Sequence, residues 1–132
     1  PKELYEQPES LFVADFIGDA NIFTRRLTEL NGQEAKVEIG RISINLSYHG
    51  LEPRDVKVAF RPQAARIHSD QSRGILGTVL KSVYLGSHQE YTIQTEFGEW
   101  FVIDTLIEEI HPENASVSLD LTNRGVSIIS SS

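Results

Sequence analysis

The sequence predicts a mainly β-sheet protein, an antiparallel barrel or sandwich that follows a short helical segment. After Gly18, apolar and polar residues alternate with a period of two, which is typical of half-buried antiparallel strands. Thr, Val, Ile and aromatic residues fill these alternating segments, as a pleated and half-buried surface favours. Short clusters of turn residues separate the segments at close spacing, and we therefore expect about nine or ten strands.

The first element is the helical segment, which we expect to span residues 1 to about 17. Pro1 suits a first helical turn, Pro8 interrupts the helix, and Gly18 is a natural stop. The stretch after Pro8 is apolar on too many sides for a surface helix of a small domain. It packs either within its own core or on a part of the protein outside this chain. The residues that we expect at this interface are Leu11, Phe12, Phe16 and Ile17.

Six strands follow from the alternation. The positions that line one face of each are Val37 and Ile39; Ile42, Ile44 and Leu46; Val56, Val58 and Phe60; Tyr91, Ile93, Thr95 and Phe97; Val117, Leu119 and Leu121; and Val126 and Ile128. Asn31-Gly32 lies between apolar runs and predicts a tight hairpin turn. Residues 97–99 and 123–125 are further turn signals, and residues 106–110 are compatible with one helical turn.

Length and composition limit the possible functions. The chain has 132 residues, which is room for one domain or for one domain with an appendage. It contains no Cys, which excludes a disulfide framework, a thiolate zinc site and a cysteine nucleophile. It also contains no Met, and we expect it to be a piece of a longer protein. The net charge of −7 disfavours a nucleic-acid or anionic-membrane partner, because both require clustered Lys and Arg.

The sequence contains no recognisable catalytic motif. The glycines of residues 73–78 have neither the spacing nor the lysine of a phosphate-binding loop, and we interpret them as a strand bend. The four histidines are scattered, which favours solvated or turn-lining side chains over a metal site. Glu108, Glu109 and Glu113 cluster around Pro112, and we interpret them as solvated surface rather than an acid–base pair. We predict no catalytic residue, metal ligand or cofactor in this chain.

Four blocks of sequence, in the expected order, resemble the ATP-binding subunits of ABC importers. Residues 1–18 resemble the junction between the nucleotide-binding domain and the C-terminal regulatory domain. Residues 56–62 resemble the strand and Arg-Pro signature of that regulatory domain. Residues 77–88 resemble the core of the TOBE module, a small OB-like β-barrel, and residues 117–129 its closing strands. Gln63 departs from the family pattern, in which an acidic residue usually follows Arg-Pro.

The resemblance implies a fold, a division and a role. Residues 1–19 would be the helical tail of the preceding nucleotide-binding domain, and residues 20–132 a TOBE or OB-like regulatory β-domain. The complete subunit would hydrolyse ATP to import a solute such as ferric iron, a polyamine or a phosphorylated compound. This chain would regulate and dimerise, while ATP and Mg would bind outside it. Its partners would be its own nucleotide-binding domain, a second copy and the membrane subunits, at the cytoplasmic face of the bacterial inner membrane.

Two alternatives remain open from the sequence. Some relatives of this family bind a small oxyanion or a regulatory protein, and the candidate cations for an anion site here are Arg61, Arg66, Arg73 and Lys81. An OB-type module would instead bind single-stranded nucleic acid, which requires aromatic platforms in a basic groove. Residues 74–104 contain five aromatic side chains but only Lys81 as a basic partner, so we expect the aromatics to be core and no nucleic acid to bind.

Overall fold

Two five-stranded antiparallel sheets make up the computed structural model, which describes residues 20–50 and 55–131. A 3-10 turn, Pro62–Ala64, lies between the fourth and fifth strands. The strands are β1 (Asn21–Asn31), β2 (Glu34–Ile39), β3 (Ile42–Ser47), β4 (Asp55–Phe60), β5 (Arg66–His68), β6 (Ile75–Tyr84), β7 (Gln89–Thr95), β8 (Gly98–Asp104), β9 (Ser116–Asp120) and β10 (Val126–Ser131).

The first sheet has the strand order β10-β4-β1-β2-β3. The hairpin predicted at Asn31-Gly32 is confirmed, because Asn31 pairs with Glu34 across the turn. Gly32 has a φ of 66°, a left-handed conformation that favours glycine. The edge strands β3 and β10 contact each other, so this sheet curls toward a barrel.

The second sheet has the order β5-β9-β6-β7-β8. The hairpin between β7 and β8 turns at Gly98, which has a φ of 117°, and confirms the turn signal at residues 97–99. The register of β6 shifts between Val79 and Lys81. The connection from β8 to β9 ends against this irregularity, since the N–H of Asn114 donates to the carbonyl oxygen of Val79 at 2.7 Å. The connection is thereby fixed to the sheet at its far end.

The main hydrophobic cluster draws on both sheets. The Trp100 ring lies 4.9 Å from the Phe60 ring and 5.0 Å from the Phe23 ring, so that β8 packs against β4 and β1. The buried Asn21 side chain joins the sheets through hydrogen bonds. Its Nδ2 donates to the carbonyl oxygen of Phe101 at 2.8 Å, and its Oδ1 accepts from the N–H of Phe101 at 2.7 Å. The free edge of β8 is therefore capped by a side chain of the first sheet.

The mainly β, OB-like fold and the six predicted strands are confirmed. The helical turn predicted at residues 106–110 is wrong. The Asp104 carboxylate accepts hydrogen bonds from the N–H groups of Leu106 at 3.0 Å and Ile107 at 3.3 Å, and Ile107 has a φ of 47°, outside the right-handed helical region. The predicted helical segment 1–19 lies outside the described residues, together with its proposed interface residues Leu11, Phe12, Phe16 and Ile17.

Candidate functional site

A cleft of about 220 Å³ opens between β5, with the turn that follows it, and the connection from β8 to β9. We name it the acidic cleft. Its lining residues are Arg66, Ile67, His68, Ser69, Asp70, Asp104, Leu106, Glu108, Glu109 and His111. Carboxylates supply four of these side chains and a guanidinium one, which leaves an excess of three negative charges before histidine is considered. The cleft therefore favours cations over anions.

Asp104, the last residue of β8, shapes one wall of the acidic cleft. Its carboxylate accepts the N–H groups of the two residues that begin the following turn, Leu106 and Ile107. An aspartate at the end of a strand can accept hydrogen bonds from nearby backbone N–H groups. These bonds favour a local turn over a continued strand or a helix. Glu108 and Glu109, which follow this turn, are exposed and line the cleft. One residue thus contributes charge and also positions two further charges.

Asp70 forms the opposite wall, in the turn between β5 and β6. The N–H of Ser72 donates to Asp70 Oδ1 at 2.9 Å. This hydrogen bond lowers the pKa of the Asp70 carboxyl, with smaller contributions from the nearby charges of Arg73 and His68, so Asp70 is ionised at neutral pH. The turn is also held from the first sheet, because Arg41 Nη2 donates to the carbonyl oxygen of Gln71 at 2.7 Å. This side of the cleft is therefore a turn that is held by hydrogen bonds, one within the turn and one from Arg41.

His111 is the buried polar residue of the lining, with 4% of its surface exposed. Its backbone N–H donates to the Tyr91 hydroxyl oxygen at 3.1 Å, and the two rings lie 5.8 Å apart. Burial raises the pKa of Tyr91, and the charges of Asp104 and Glu109 raise it further, so the hydroxyl stays protonated. Within the described residues, the buried side-chain atoms without a hydrogen-bond partner are Gln89 Oε1 and Trp100 Nε1, and the imidazole nitrogens of His111 are not among them. Of the two environments predicted for the histidines, solvated or turn-lining, His111 is not solvated and lies in the connection from β8 to β9.

The four cations expected at an anion site are all exposed but lie on different elements. Arg61 follows β4, Arg66 begins β5, Arg73 lies in the turn before β6, and Lys81 follows the register shift of β6. Of the four, the acidic cleft includes Arg66 alone, and Arg66 shares its lining with four carboxylates. An anion site built from these four residues remains a prediction.

Sequence reasoning placed Glu108 and Glu109 correctly at the surface but did not place them in a cleft. It missed Asp104, Asp70 and His111. A usable signal was present, since an aspartate at the end of an alternating strand often forms a local turn. The pairing of β5 with β9, which brings the opposite wall near, has no such local signal, because it joins segments about fifty residues apart.

Metal sites and membrane spans are two further features that a domain of this size can carry. Among residues 20–50 and 55–131, no group of three or more His, Asp or Glu side chains is arranged to hold a metal ion. No helix in the same residues has the length and apolar character needed to cross a membrane.

The fold defines the class of domain to which the chain belongs. Two curled antiparallel sheets around a shared core form an OB-like β-domain. Residues 58–127 match the family described as "TOBE domain". The chain belongs to the TOBE domain family, and its resemblance to ATP-binding subunits of importers is confirmed by the relatives that follow.

The chain is 36% identical over 129 residues to the Fe(3+) ions import ATP-binding protein FbpC of Brucella suis, covering 98% of this chain and 36% of that protein. It is 37% identical over 129 residues to the protein of the same name from Agrobacterium fabrum, with the same coverage. The chain thus spans about a third of the length of these relatives. A solved structure of the cytoplasmic molybdate-binding protein ModG, with molybdate bound, matches with a TM-score of 0.62 at 18% identity, covering 80% of this chain and 92% of that one. This likeness supports the OB-like fold.

Proposed function

We propose that this chain is the regulatory domain of the ATP-binding subunit of an ABC importer, and that the imported solute is ferric iron. The observation that carries the proposal is the 129-residue match to proteins named as Fe(3+) import ATP-binding proteins. Of the three solutes that the sequence resemblance left open, this match favours ferric iron.

The domain binds partners and performs no chemistry of its own. ATP and Mg bind in a nucleotide-binding domain outside this chain, whose 132 residues carry no phosphate-binding loop. Exposed apolar side chains along β6, among them Leu76, Leu80 and Tyr84, support a role in protein contact. The partners are the nucleotide-binding domain, a second copy of the subunit, and the membrane subunits at the cytoplasmic face of the inner membrane.

The test compares the complete subunit with a form that lacks the segment corresponding to residues 20–132. We expect the shortened subunit to hydrolyse ATP but to lose its regulation in iron(III) uptake by membrane vesicles, and light scattering to show weaker dimerisation. The isolated 132-residue chain should hydrolyse no ATP. Hydrolysis by the isolated chain, or unchanged dimerisation and uptake in the shortened subunit, contradicts the proposal.

A second candidate function is the sensing of a small oxyanion. It is supported by the fold likeness to ModG, whose structure holds molybdate. The cations for such a site are Arg61, Arg66, Arg73 and Lys81, of which Arg66 is the weakest candidate because it lines a cleft with four carboxylates. Calorimetry with molybdate, sulfate and phosphate tests this function, and the absence of heat with all three anions removes it.

A further inference from the structure

We infer that the second half of β6 binds an extended segment of a partner protein as an additional β-strand, and that this segment combines apolar with basic residues. We name the binding surface the free edge. It comprises residues 80–84 of β6, on the side that faces away from β7. The inference deepens the role in protein contact that is proposed above and rests on it, but it is independent of the imported solute.

The pairing of β6 changes halfway along the strand. Residues 75–78 pair with β9 and residues 77–84 with β7, so that, among the described residues, 80–84 pair on the β7 side alone. The connection that leads into β9 turns away from β6 at this point, because Asn114 has a left-handed φ of 72° and the N–H of Ala115 donates to the carbonyl oxygen of Pro112 at 3.1 Å. Backbone groups that point away from β7 are therefore open to a further strand.

The other edges of the two sheets are protected. The edge strands β3 and β10 of the first sheet contact each other. In the second sheet, the Asn21 side chain caps β8 at Phe101, and β5 is only three residues long. Contact with another strand, a cap and a very short strand all limit unwanted pairing at a sheet edge. Among the described residues, the free edge has none of these three protections.

Exposed apolar side chains border the free edge and would add hydrophobic contact to strand pairing. Leu80 and Tyr84 lie on it, and Leu85 follows directly in the chain. Leu106 lies at the same end of the sheet, because Tyr84 pairs with a residue of β7 that in turn pairs with Asp104. Proteins that bind an added strand gain affinity from main-chain hydrogen bonds and specificity from contacts with its side chains. The surface therefore suits an extended segment with apolar residues.

The charge around the free edge selects a basic segment. Residues 75–115 contain seven Asp and Glu residues and one basic residue, Lys81. Glu108, Glu109 and Glu113 are exposed in the connection that meets β6 at Val79. A partner segment with Lys or Arg is attracted to this surface, whereas a second copy of the chain would bring two acidic surfaces together. The occupant is therefore a different protein and not a second copy.

Nuclear magnetic resonance of the isotopically labelled 132-residue chain with a synthetic strand tests the free edge. The probe is a peptide of about seven residues that alternates valine with lysine, close to the usual length of a strand. We expect saturable shifts of the amide signals of residues 80–84, and slower hydrogen exchange of the amides that point away from β7. N-methylation of one alternate set of peptide amides should weaken binding about tenfold, because two or three backbone hydrogen bonds are lost. N-methylation of the other set, which points to solvent, should leave binding nearly unchanged.

Two exposed leucines of β6 provide a matched pair of variants. Leu80 is 43% exposed and lies on the free edge, while Leu76 is 49% exposed and lies in the half of β6 that pairs with β9. Leu80→Ser should weaken binding about fivefold through the loss of apolar contact, and Leu76→Ser should leave binding unchanged. A peptide with glutamate in place of lysine should bind several-fold more weakly at low salt, and this difference should shrink as salt screens the charges.

The inference is overturned when the valine–lysine peptide does not shift the signals of residues 80–84, when both methylated peptides bind equally, when Leu76→Ser weakens binding as much as Leu80→Ser, or when the glutamate peptide binds as tightly. Protection of the same amides with rising chain concentration, together with association in light scattering, would assign the edge to a second copy and also overturn it. These measurements use the isolated chain, whereas the proposed function is tested on the complete subunit, so either can fail without the other.

Discussion

The hydrogen bonds between Asn21 and Phe101 should contribute more to stability than any other single polar contact between the sheets. Asn21 is 6% exposed, and both bonds are short, at 2.8 Å and 2.7 Å. In Asn21→Ala the N–H and the carbonyl oxygen of Phe101 lose their partners at a half-buried edge. A buried group left unpaired costs about 1–3 kcal/mol, and the partial exposure of Phe101 places the total for the two groups at about 2–4 kcal/mol. This is a large part of the roughly 5–15 kcal/mol that stabilises a domain.

Asn21→Asp distinguishes the contributions of the two hydrogen bonds, because it keeps one and removes the other. The carboxylate still accepts from the Phe101 N–H but faces the Phe101 carbonyl oxygen without a proton to donate. Burial and this repulsion should raise the folded-state pKa of the new carboxyl above its unfolded value of about 3.9. A raised folded-state pKa means that stability is present below the unfolded value and is lost as the pH rises through the folded value. The deficit of Asn21→Asp relative to wild type should therefore be smaller at acidic pH than at neutral pH.

Urea unfolding at acidic and neutral pH measures both variants. With a slope of about 1–3 kcal/mol per molar urea, Asn21→Ala should lower the midpoint by about 1–2 M. Asn45, exposed on β3, provides the matched control, and Asn45→Ala and Asn45→Asp should stay within about 0.5 kcal/mol of wild type. An Asn21→Ala variant as stable as its Asn45 counterpart, or an Asn21→Asp deficit independent of pH, would refute the reasoning.

Three further predictions concern other parts of the chain. Gly77→Ala should destabilise the fold by about 1–3 kcal/mol in urea unfolding, because a Cβ there would lie 2.5 Å from Ile93 Cγ2; no change would show that the strands move apart easily. Asp70→Asn should be less stable than wild type at neutral pH. Because the wild-type carboxyl has a lowered pKa, this difference should shrink as the pH falls from about 4 and be lost as the pH passes below the folded-state pKa; a constant difference across that range contradicts the hydrogen bond from Ser72. Removal of residues 1–17 should change the oligomeric state or the stability, since burying each bulky apolar side chain is worth about 1.5–3 kcal/mol. Identical light scattering and stability with and without this segment would contradict a packed helix.

Alternation predicts a strand well where one face is buried and the other exposed, as in β4. In β4, Val56 and Val58 are fully buried while Lys57 between them is exposed, so the alternation is visible. Alternation fails in β6, because Leu76 and Leu80 are apolar but exposed, and the register shifts between Val79 and Lys81. Sequence periodicity indicates which face of a strand is buried. It therefore fails to predict a strand whose exposed face is also apolar.

The acidic cleft was less predictable than the strands, because its two sides are brought together by the order in which the strands pair in the second sheet. Glu108 and Glu109 looked like ordinary solvated carboxylates, and each is indeed exposed. They form a cleft only together with residues such as Asp70 on its other side, which the pairing of β5 with β9 brings near. The burial of His111 has no local signal for the same reason, because it follows from packing against Tyr91 of β7, twenty residues earlier in the chain.

The position of Arg66 directs the anion-sensing hypothesis to cations outside the acidic cleft. Arg66 shares the acidic cleft with four carboxylates, whose negative charge opposes the attraction of its guanidinium for an oxyanion. Anion sensing would then depend mainly on cations outside the cleft, such as Lys81. Lys81→Ala should therefore reduce any heat measured with molybdate, whereas Glu109→Gln, which removes a charge inside the cleft, should leave that heat unchanged. If Glu109→Gln altered the heat as much as Lys81→Ala, this assignment of residues would not hold.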